Sequence, residues 1–120
     1  MKAGNYENLA LFLKKEIAGT NINIGMGGMR AANSLIIGLR KNGKEACKHT
    51  IAATLLKFKE KRPMVLELCN AYFEPSLKCV NLQDVIEEVV PCITNTAPGV
   101  RTGAIRYVET IAKVTYIDIL

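Results

Sequence analysis

One stretch near the middle of the chain, residues 57–65, limits what this sequence can fold into. It is charged and contains Pro63, and apolar residues at helical spacing lead up to Phe58 and resume at Val65. A sharp turn between two amphipathic segments predicts a helical hairpin, because proline is tolerated best at the first position of a helix. Turns of the same kind occur at residues 20–24 and 95–101. Three such turns in succession predict a repeat protein.

The spacing of apolar residues predicts six helices that pair into three hairpins. The first ends before Gly19, the second runs to about residue 41, the third covers about 44–59, the fourth covers about 63–73, and the last two begin at residues 82 and 98. Pro75 is expected to stop the fourth helix, and Pro91 to bend the fifth helix without ending it.

Corresponding positions in the three hairpins give the repeat length. The aliphatic residues that follow each turn are Ile24, Val65 and Val100, which are 41 and 35 residues apart. Periods near 40 with two helices per unit are typical of HEAT and armadillo arrays, in which hairpins stack to bury a common core. We therefore expect an all-α superhelix in one domain, residues 1–120, with repeats at about 5–42, 43–80 and 81–116.

The composition predicts an aliphatic interior without a metal site. Hydrophobic residues make up 49% of the chain and aromatic residues 6%, and there is no tryptophan. The cysteines form no CxxC pair, so we expect reduced, buried thiols and no structural zinc; they are Cys47, Cys69, Cys79 and Cys92. No run of 18 apolar residues occurs, so no membrane span is expected.

The net charge of +5 favours an acidic partner. Nucleic acid is a weaker candidate than protein, because aromatic residues are not interleaved with the basic ones. Glu87 and Glu88 are adjacent and diverge by about 100° on a helix, and no base, nucleophile or metal set accompanies them. We therefore expect no enzyme activity, no cofactor and no small-molecule substrate.

A cluster of glycines, Gly25, Gly27 and Gly28, opens the second predicted helix. Such a cluster could be a phosphate-binding loop, but the lysine and Ser/Thr of a Walker loop are missing, as is the third glycine of a dinucleotide fingerprint. The alternative, which we favour, is a helix that begins with small residues so that its neighbour can approach closely.

Five segments of the chain together resemble a TOG domain, the HEAT-repeat domain of microtubule polymerases and other microtubule-associated proteins. They are residues 20–22, 34–41, 56–63, 84–89 and 95–101. The resemblance covers nearly the whole chain and places it over the second to fourth of the six repeats of such a domain. It therefore implies a half-domain, either a truncated product or a divergent short form.

The resemblance also implies a function and a site. In that family the short turns within each repeat line one edge of a flat paddle, and that edge binds the αβ-tubulin heterodimer. The implied tubulin-facing residues here are Thr20, Asn21, Lys61, Arg62, Asn95 and Arg101. A non-catalytic module of the cytoplasmic microtubule cytoskeleton, at spindle poles or plus ends, is the expectation.

Two departures from the family pattern and two alternatives accompany this resemblance. The chain lacks the tryptophan of the family's first repeat, and Gly99 stands where the family often has a lysine. Lys61 and Arg62 could instead form a solvated turn, and Arg101 could brace a neighbouring repeat. The alternative function is a HEAT or armadillo scaffold for another acidic protein or a nucleic acid.

A last expectation concerns the two ends of the array, which should expose apolar helix faces. Repeat arrays normally cover such faces with polar terminal repeats, so we expect self-association. The residues expected on these faces are Leu9, Phe12 and Leu13 at one end and Val108, Ile111 and Tyr116 at the other.

Overall fold

The chain is built from six α-helices, in a computed structural model that describes the backbone of residues 6–119 and the side chains of residues 6–114. The helices are α1 (Glu7–Ala18), α2 (Ile22–Leu39), α3 (Lys44–Leu56), α4 (Pro63–Leu77), α5 (Leu82–Ile93) and α6 (Pro98–Ile119). Two short 3-10 segments, Arg40–Gly43 and Lys57–Lys59, follow α2 and α3. The described residues contain no strand. The predicted all-α class is confirmed.

The helices form two layers. Helices α1, α3 and α5 pack side by side in the first layer. Helix α2 packs on α1 and α4, and α6 packs on α5 and on the 3-10 segment Lys57–Lys59, which places α2, α4 and α6 in the second layer. Because the connections are short, consecutive helices are antiparallel. The result is the predicted superhelix of three HEAT-type hairpins, with extents of 40 × 31 × 22 Å.

The core lies between the two layers and is mostly aliphatic, as the composition predicted. Helix α1 shows how the pattern works, because Ala10, Leu13 and Ile17 lie on one helical face and are all buried. All four cysteines are free and buried within this core. Two large aromatic residues, Tyr72 and Tyr107, are also fully buried.

Fewer apolar residues are exposed at the ends of the array than the sequence predicted. Leu9 and Phe12 are 45% and 59% exposed, in agreement with the prediction. Leu13 and Ile111 are buried, because each lies on the helix face that packs on the core. Tyr116 lies outside the residues whose side chains are described. Self-association through Leu9 and Phe12 stays a prediction.

Helix α4 is longer than predicted. It passes through Pro75 and ends at Leu77, whereas the sequence suggested a stop after Phe73. Proline removes the hydrogen bond that its own N–H would donate to the carbonyl four residues earlier, here that of Ala71. Ala71 is exposed, so water can satisfy this carbonyl, while the Pro75 carbonyl still accepts a hydrogen bond from the N–H of Lys78. A proline in the last turn therefore does not end this helix.

Helix α5 also contains a proline near its end. Pro91 lies within α5, as predicted, and Cys92 beyond it remains buried. At its start, the Asn81 side chain accepts from the N–H of Asp84, and the Asp84 carboxylate accepts from the N–H of Asn81. This reciprocal capping fixes the entry of the chain into the third hairpin.

The glycine cluster of α2 serves close packing. Residues 22–39 are helical throughout, so the cluster is not a phosphate-binding loop. Gly25 and Gly28 are buried against the end of α1, and a Cβ atom at Gly28 would lie 3.1 Å from Ile17. Gly27 has open space around it. Two of the three glycines therefore let α2 approach α1 closely, which is the interpretation the sequence favoured.

Candidate functional site

The three turns within the hairpins lie at one edge of the molecule. Because consecutive helices are antiparallel, these turns are at one end of the helices, and the two connections between hairpins are at the other. We call residues 19–21, 57–62 and 94–101 the turn edge, and residues 40–43 and 78–81 the connector edge. All six residues that the resemblance implied belong to the turn edge.

The first turn is shaped by Asn21. Its side-chain oxygen accepts hydrogen bonds from the N–H groups of Asn23 and Ile24, both at 3.1 Å, so it caps α2. Thr20 precedes it and is exposed. The Asn21 oxygen is therefore already used within the chain, while Thr20 is open to a partner.

Replacing Asn21 by alanine is expected to lower the free energy of unfolding by about 1 kcal/mol, because two helix N–H groups lose their acceptor. Asn21→Ser should keep most of the stability, since serine is also a good cap. Asn23→Ala is the matched control, since Asn23 is exposed inside the helix and alanine favours helix there. Urea unfolding followed by circular dichroism measures all three. Equal stability of Asn21→Ala and wild type would show that the cap is not needed.

The second turn presents two cations. Lys61 and Arg62 are exposed, and within the described part of the chain neither side chain makes a hydrogen bond or an ion pair. The Arg62 carbonyl accepts from the N–H groups of Val65 and Leu66, at 3.1 and 3.2 Å, which fixes the start of α4. Lys59, which is not among the residues that the resemblance implied, is exposed in the same turn.

The third turn combines a shaping residue with a free cation. The Asn95 side-chain oxygen accepts from the N–H of Ala97 at 2.8 Å, so it holds the turn that leads into α6. Arg101 lies in the first turn of α6 and is exposed. Among residues 6–114 its guanidinium has no hydrogen-bond or ion-pair partner, so Arg101 does not brace another repeat there.

A close contact joins the second turn to the third. Gly99 lies against the carbonyl oxygen of Phe58, and Gly103, one helical turn later, lies against the Phe58 ring. A Cβ atom at either position would collide with these groups. This explains why a lysine is absent at position 99, and it shows that the missing side chain allows close packing. The two turns therefore hold each other in position.

Arg106 reinforces this contact. Its guanidinium lies over the rings of Phe58 and Phe73, at 5.5 and 5.6 Å from their centroids, and it donates a hydrogen bond to the side chain of Asn70. Such cation–π contacts stabilise by about 0.5–1 kcal/mol at exposed sites. Arg106 therefore has the bracing role that the sequence suggested for Arg101. The spacing of residues in the sequence could not distinguish the roles of Arg101 and Arg106, because both are exposed arginines of the same helix.

A buried polar network joins three helices, in the half of the molecule nearer the connector edge. The Tyr72 hydroxyl lies 2.7 Å from that of Thr50 and 3.1 Å from the carbonyl of Cys47, which joins α3 to α4. The Ser76 hydroxyl lies 2.9 Å from that of Tyr107 and joins α4 to α6. These bonds give the stacked helices a fixed register. No pattern in the sequence indicates these bonds, since both tyrosines fit an apolar stripe.

Other kinds of site find little support in the described residues. No group of three or more His, Cys, Asp or Glu side chains within residues 6–114 could hold a metal ion. Within residues 6–119, no helix combines the length and apolar character that crossing a membrane requires. The exposed cations of the turn edge remain the chemical feature that stands out.

The comparisons with known proteins agree with this architecture. No family model matches the chain. Protein MOR1 of Arabidopsis thaliana is 28% identical over 106 residues, which cover 87% of this chain and 5% of that protein. Protein MOR1 of Oryza sativa subsp. japonica is 29% identical, over 97% of this chain and 6% of that protein.

A solved structure gives the same result for the fold. A chain from the structural study of microtubule plus-end tracking by XMAP215, CLIP-170 and EB1 superposes with a TM-score of 0.79 at 24% identity. The match covers 90% of this chain and 45% of that chain. Our chain therefore spans less than half of the solved chain and about one-twentieth of the MOR1 proteins.

The fold and the turn edge define a HEAT-type helical repeat protein whose within-hairpin turns present basic side chains. Within this class, the comparisons confirm the resemblance to TOG domains that the sequence indicated.

Proposed function

We propose that this chain is a non-catalytic tubulin-binding part of a TOG-type regulator of microtubule assembly. The observation that carries the proposal is a set of cations on the turn edge, chiefly Lys61, Arg62 and Arg101, that are exposed and have no ion-pair partner among residues 6–114. Stacked helices hold these cations at one edge of the molecule, which suits an acidic partner surface. The likeness to MOR1 and to the plus-end tracking structure supports microtubules of the cytoplasmic cytoskeleton as the place of action.

The contacts beneath the edge support this proposal. Phe58 is in contact with Gly99, Gly103 and Arg106 of α6, so the second and third turns keep a fixed spacing. Preorganised charges lose little conformational freedom on binding. We propose that Lys61, Arg62 and Arg101 make the charged contacts with tubulin and that the Thr20 hydroxyl makes a neutral hydrogen bond. Asn21 and Asn95 act mainly by shaping the turns.

The test is binding of purified αβ-tubulin at low ionic strength, measured by co-elution on size exclusion and by a fluorescence titration. The double variant Lys61→Glu/Arg62→Glu is expected to bind at least about tenfold more weakly, because reversed charges repel an acidic surface. The matched control is Lys41→Glu/Lys78→Glu, which makes the same change in net charge at the connector edge. The control should bind tubulin as the wild type does.

Two results would contradict the proposal. An unchanged tubulin complex with Lys61→Glu/Arg62→Glu would exclude the turn edge as the binding surface. No complex with the wild-type chain, even where surface charges are least screened by salt, would favour the alternative function. That alternative is a HEAT scaffold for another acidic protein, supported here by the net charge of +5 and by the repeat fold.

A further inference from the structure

A groove crosses the second helix layer near the connector edge, away from the turn edge. It lies between α2 and α4 and has a volume of about 410 Å³. Its apolar part is formed by Ile37, Ala71 and Pro75, and Arg40 and Lys78 stand at one end. An adjoining depression of about 770 Å³ shares Ile37, Arg40 and Lys78 and adds Lys41. We call these two together the connector groove.

The apolar part of the connector groove is accessible to a partner. Ile37 is a large apolar side chain and is 57% exposed. Pro75 has no N–H to donate to the Ala71 carbonyl, so this part of the groove also contains a backbone acceptor without its usual helical donor. An apolar side chain and a backbone N–H of a partner could both be accommodated there. The volume is in the range of sites that bury small ligands or side chains.

The positive charge of the connector groove favours a negatively charged partner. Arg40, Lys41 and Lys78 are exposed, and within residues 6–114 none of them makes an ion pair. Glu74 is the one carboxylate among the described residues that line the groove, and it stands on α4, N-terminal to Lys78. The basic end should therefore attract carboxylates, and Glu74 should keep them away from the other end.

The backbone at Arg40 is unusual in a way that fits a binding role. Its φ is 50° and its ψ is −125°, a conformation that glycine adopts easily and arginine does not. Strain of this kind amounts to about 1–3 kcal/mol and often occurs at functional sites. An arginine at this position is unfavourable for folding and places a cation beside Lys41 and Lys78.

We propose that the connector groove binds a short acidic peptide segment of a partner protein. One large apolar side chain of the peptide, leucine or phenylalanine, lies on Ile37, Ala71 and Pro75. Carboxylates of the peptide contact Arg40, Lys41 and Lys78. Nucleic acid fits less well, because the described residues that line the groove include no aromatic ring on which a base could stack.

The probe is a fluorescein-labelled peptide of sequence Glu-Asp-Leu-Phe-Asp-Glu, titrated with the whole chain and followed by fluorescence anisotropy. A peptide with serine in place of leucine and phenylalanine should bind at least about tenfold more weakly, because the apolar contact is lost. The variants Ile37→Ser and Lys41→Glu/Lys78→Glu should lose a similar factor. Lys61→Glu/Arg62→Glu is the matched control, and its affinity for the peptide should stay within about twofold.

Arg40→Gly separates binding from folding. It removes the cation and relieves the backbone strain, so it should raise the thermal stability while weakening the peptide complex. In a nitrogen-15 NMR titration, amide shift changes should concentrate at residues 36–41 and 70–78. Retained peptide affinity in Arg40→Gly, or shift changes centred on the turn edge, would overturn the proposal.

Three further outcomes would also overturn it. Equal weakening by both double variants would indicate attraction by net charge alone. Equal affinity for the serine peptide would exclude the apolar contact. Tighter binding of a labelled oligouridine than of the acidic peptide would assign the surface to nucleic acid. None of these results depends on tubulin binding, so the groove and the turn edge are tested separately.

Discussion

Alanine at Gly103 is expected to lower the free energy of unfolding by about 1–3 kcal/mol, although alanine usually favours a helix. The reason is the Phe58 ring, three atoms of which would lie less than 3.0 Å from the added Cβ. The ring is buried and contacts both Phe73 and Arg106, so it has little room to move. Helix propensity alone would predict a gain of up to about 1 kcal/mol.

Gly99→Ala should also lower the free energy of unfolding, but it should respond differently to a second substitution at Phe58. At Gly99 the colliding atom is the Phe58 carbonyl oxygen, which belongs to the backbone. Phe58→Leu should therefore relieve part of the strain of Gly103→Ala and none of that of Gly99→Ala. A double-mutant cycle of urea unfolding free energies measures this difference.

Gly27→Ala is the control for both glycine variants. Gly27 lies inside α2 with open space around it, so alanine there should raise the stability by up to about 1 kcal/mol. Stabilisation of Gly99→Ala or Gly103→Ala to the same extent would show that the close contact with Phe58 does not exist. If the contact exists and the proposed function is right, both destabilised variants should also bind tubulin more weakly, because the second turn would shift.

A second large effect is expected at alkaline pH, where the fold should lose stability steeply above about pH 9. Burial raises the pKa of the Cys47 and Cys69 thiols from 9.0 to about 12 and that of Cys79 to about 11. Burial also raises the pKa of the Tyr72 and Tyr107 hydroxyls. These groups are neutral in the folded chain, in an interior that disfavours charge.

The direction of this pH dependence follows from whether the folded or the unfolded chain holds more protons. Between pH 9 and the raised pKa values, the unfolded chain releases protons that the folded chain retains, so the free energy of unfolding falls as pH rises. The stability from these groups is complete below pH 9 and is lost as pH passes 11 to 12. Each thiol contributes a slope of about 1.4 kcal/mol per pH unit in this range.

Thermal unfolding from pH 7 to pH 11, followed by circular dichroism with a reductant present, measures this effect. Cys69→Ala is the informative variant, because it removes one titrating group along with some buried volume. It should be less stable than the wild type at pH 7 and show a shallower fall above pH 9. An unfolding temperature that stays constant from pH 9 to pH 11 would contradict the buried, neutral state of the thiols.

The repeat architecture and its turns were determined by the sequence itself. Local signals are sufficient for this, because the spacing of apolar residues identifies helices and Pro63 and Pro98 mark where two of them begin. The predicted end of α4 was wrong, because the effect of Pro75 depends on whether the Ala71 carbonyl can reach water. That is a property of the folded surface.

Only the tertiary structure decided how the turns are held and which cations remain free. Gly99 and Gly103 matter because Phe58, some 40 residues earlier in the chain, lies against them. The bracing role belongs to Arg106 because two aromatic rings from other elements lie beneath it. Contacts between distant segments leave no periodic signal in a single sequence, so composition and spacing could predict the helices but not these pairs.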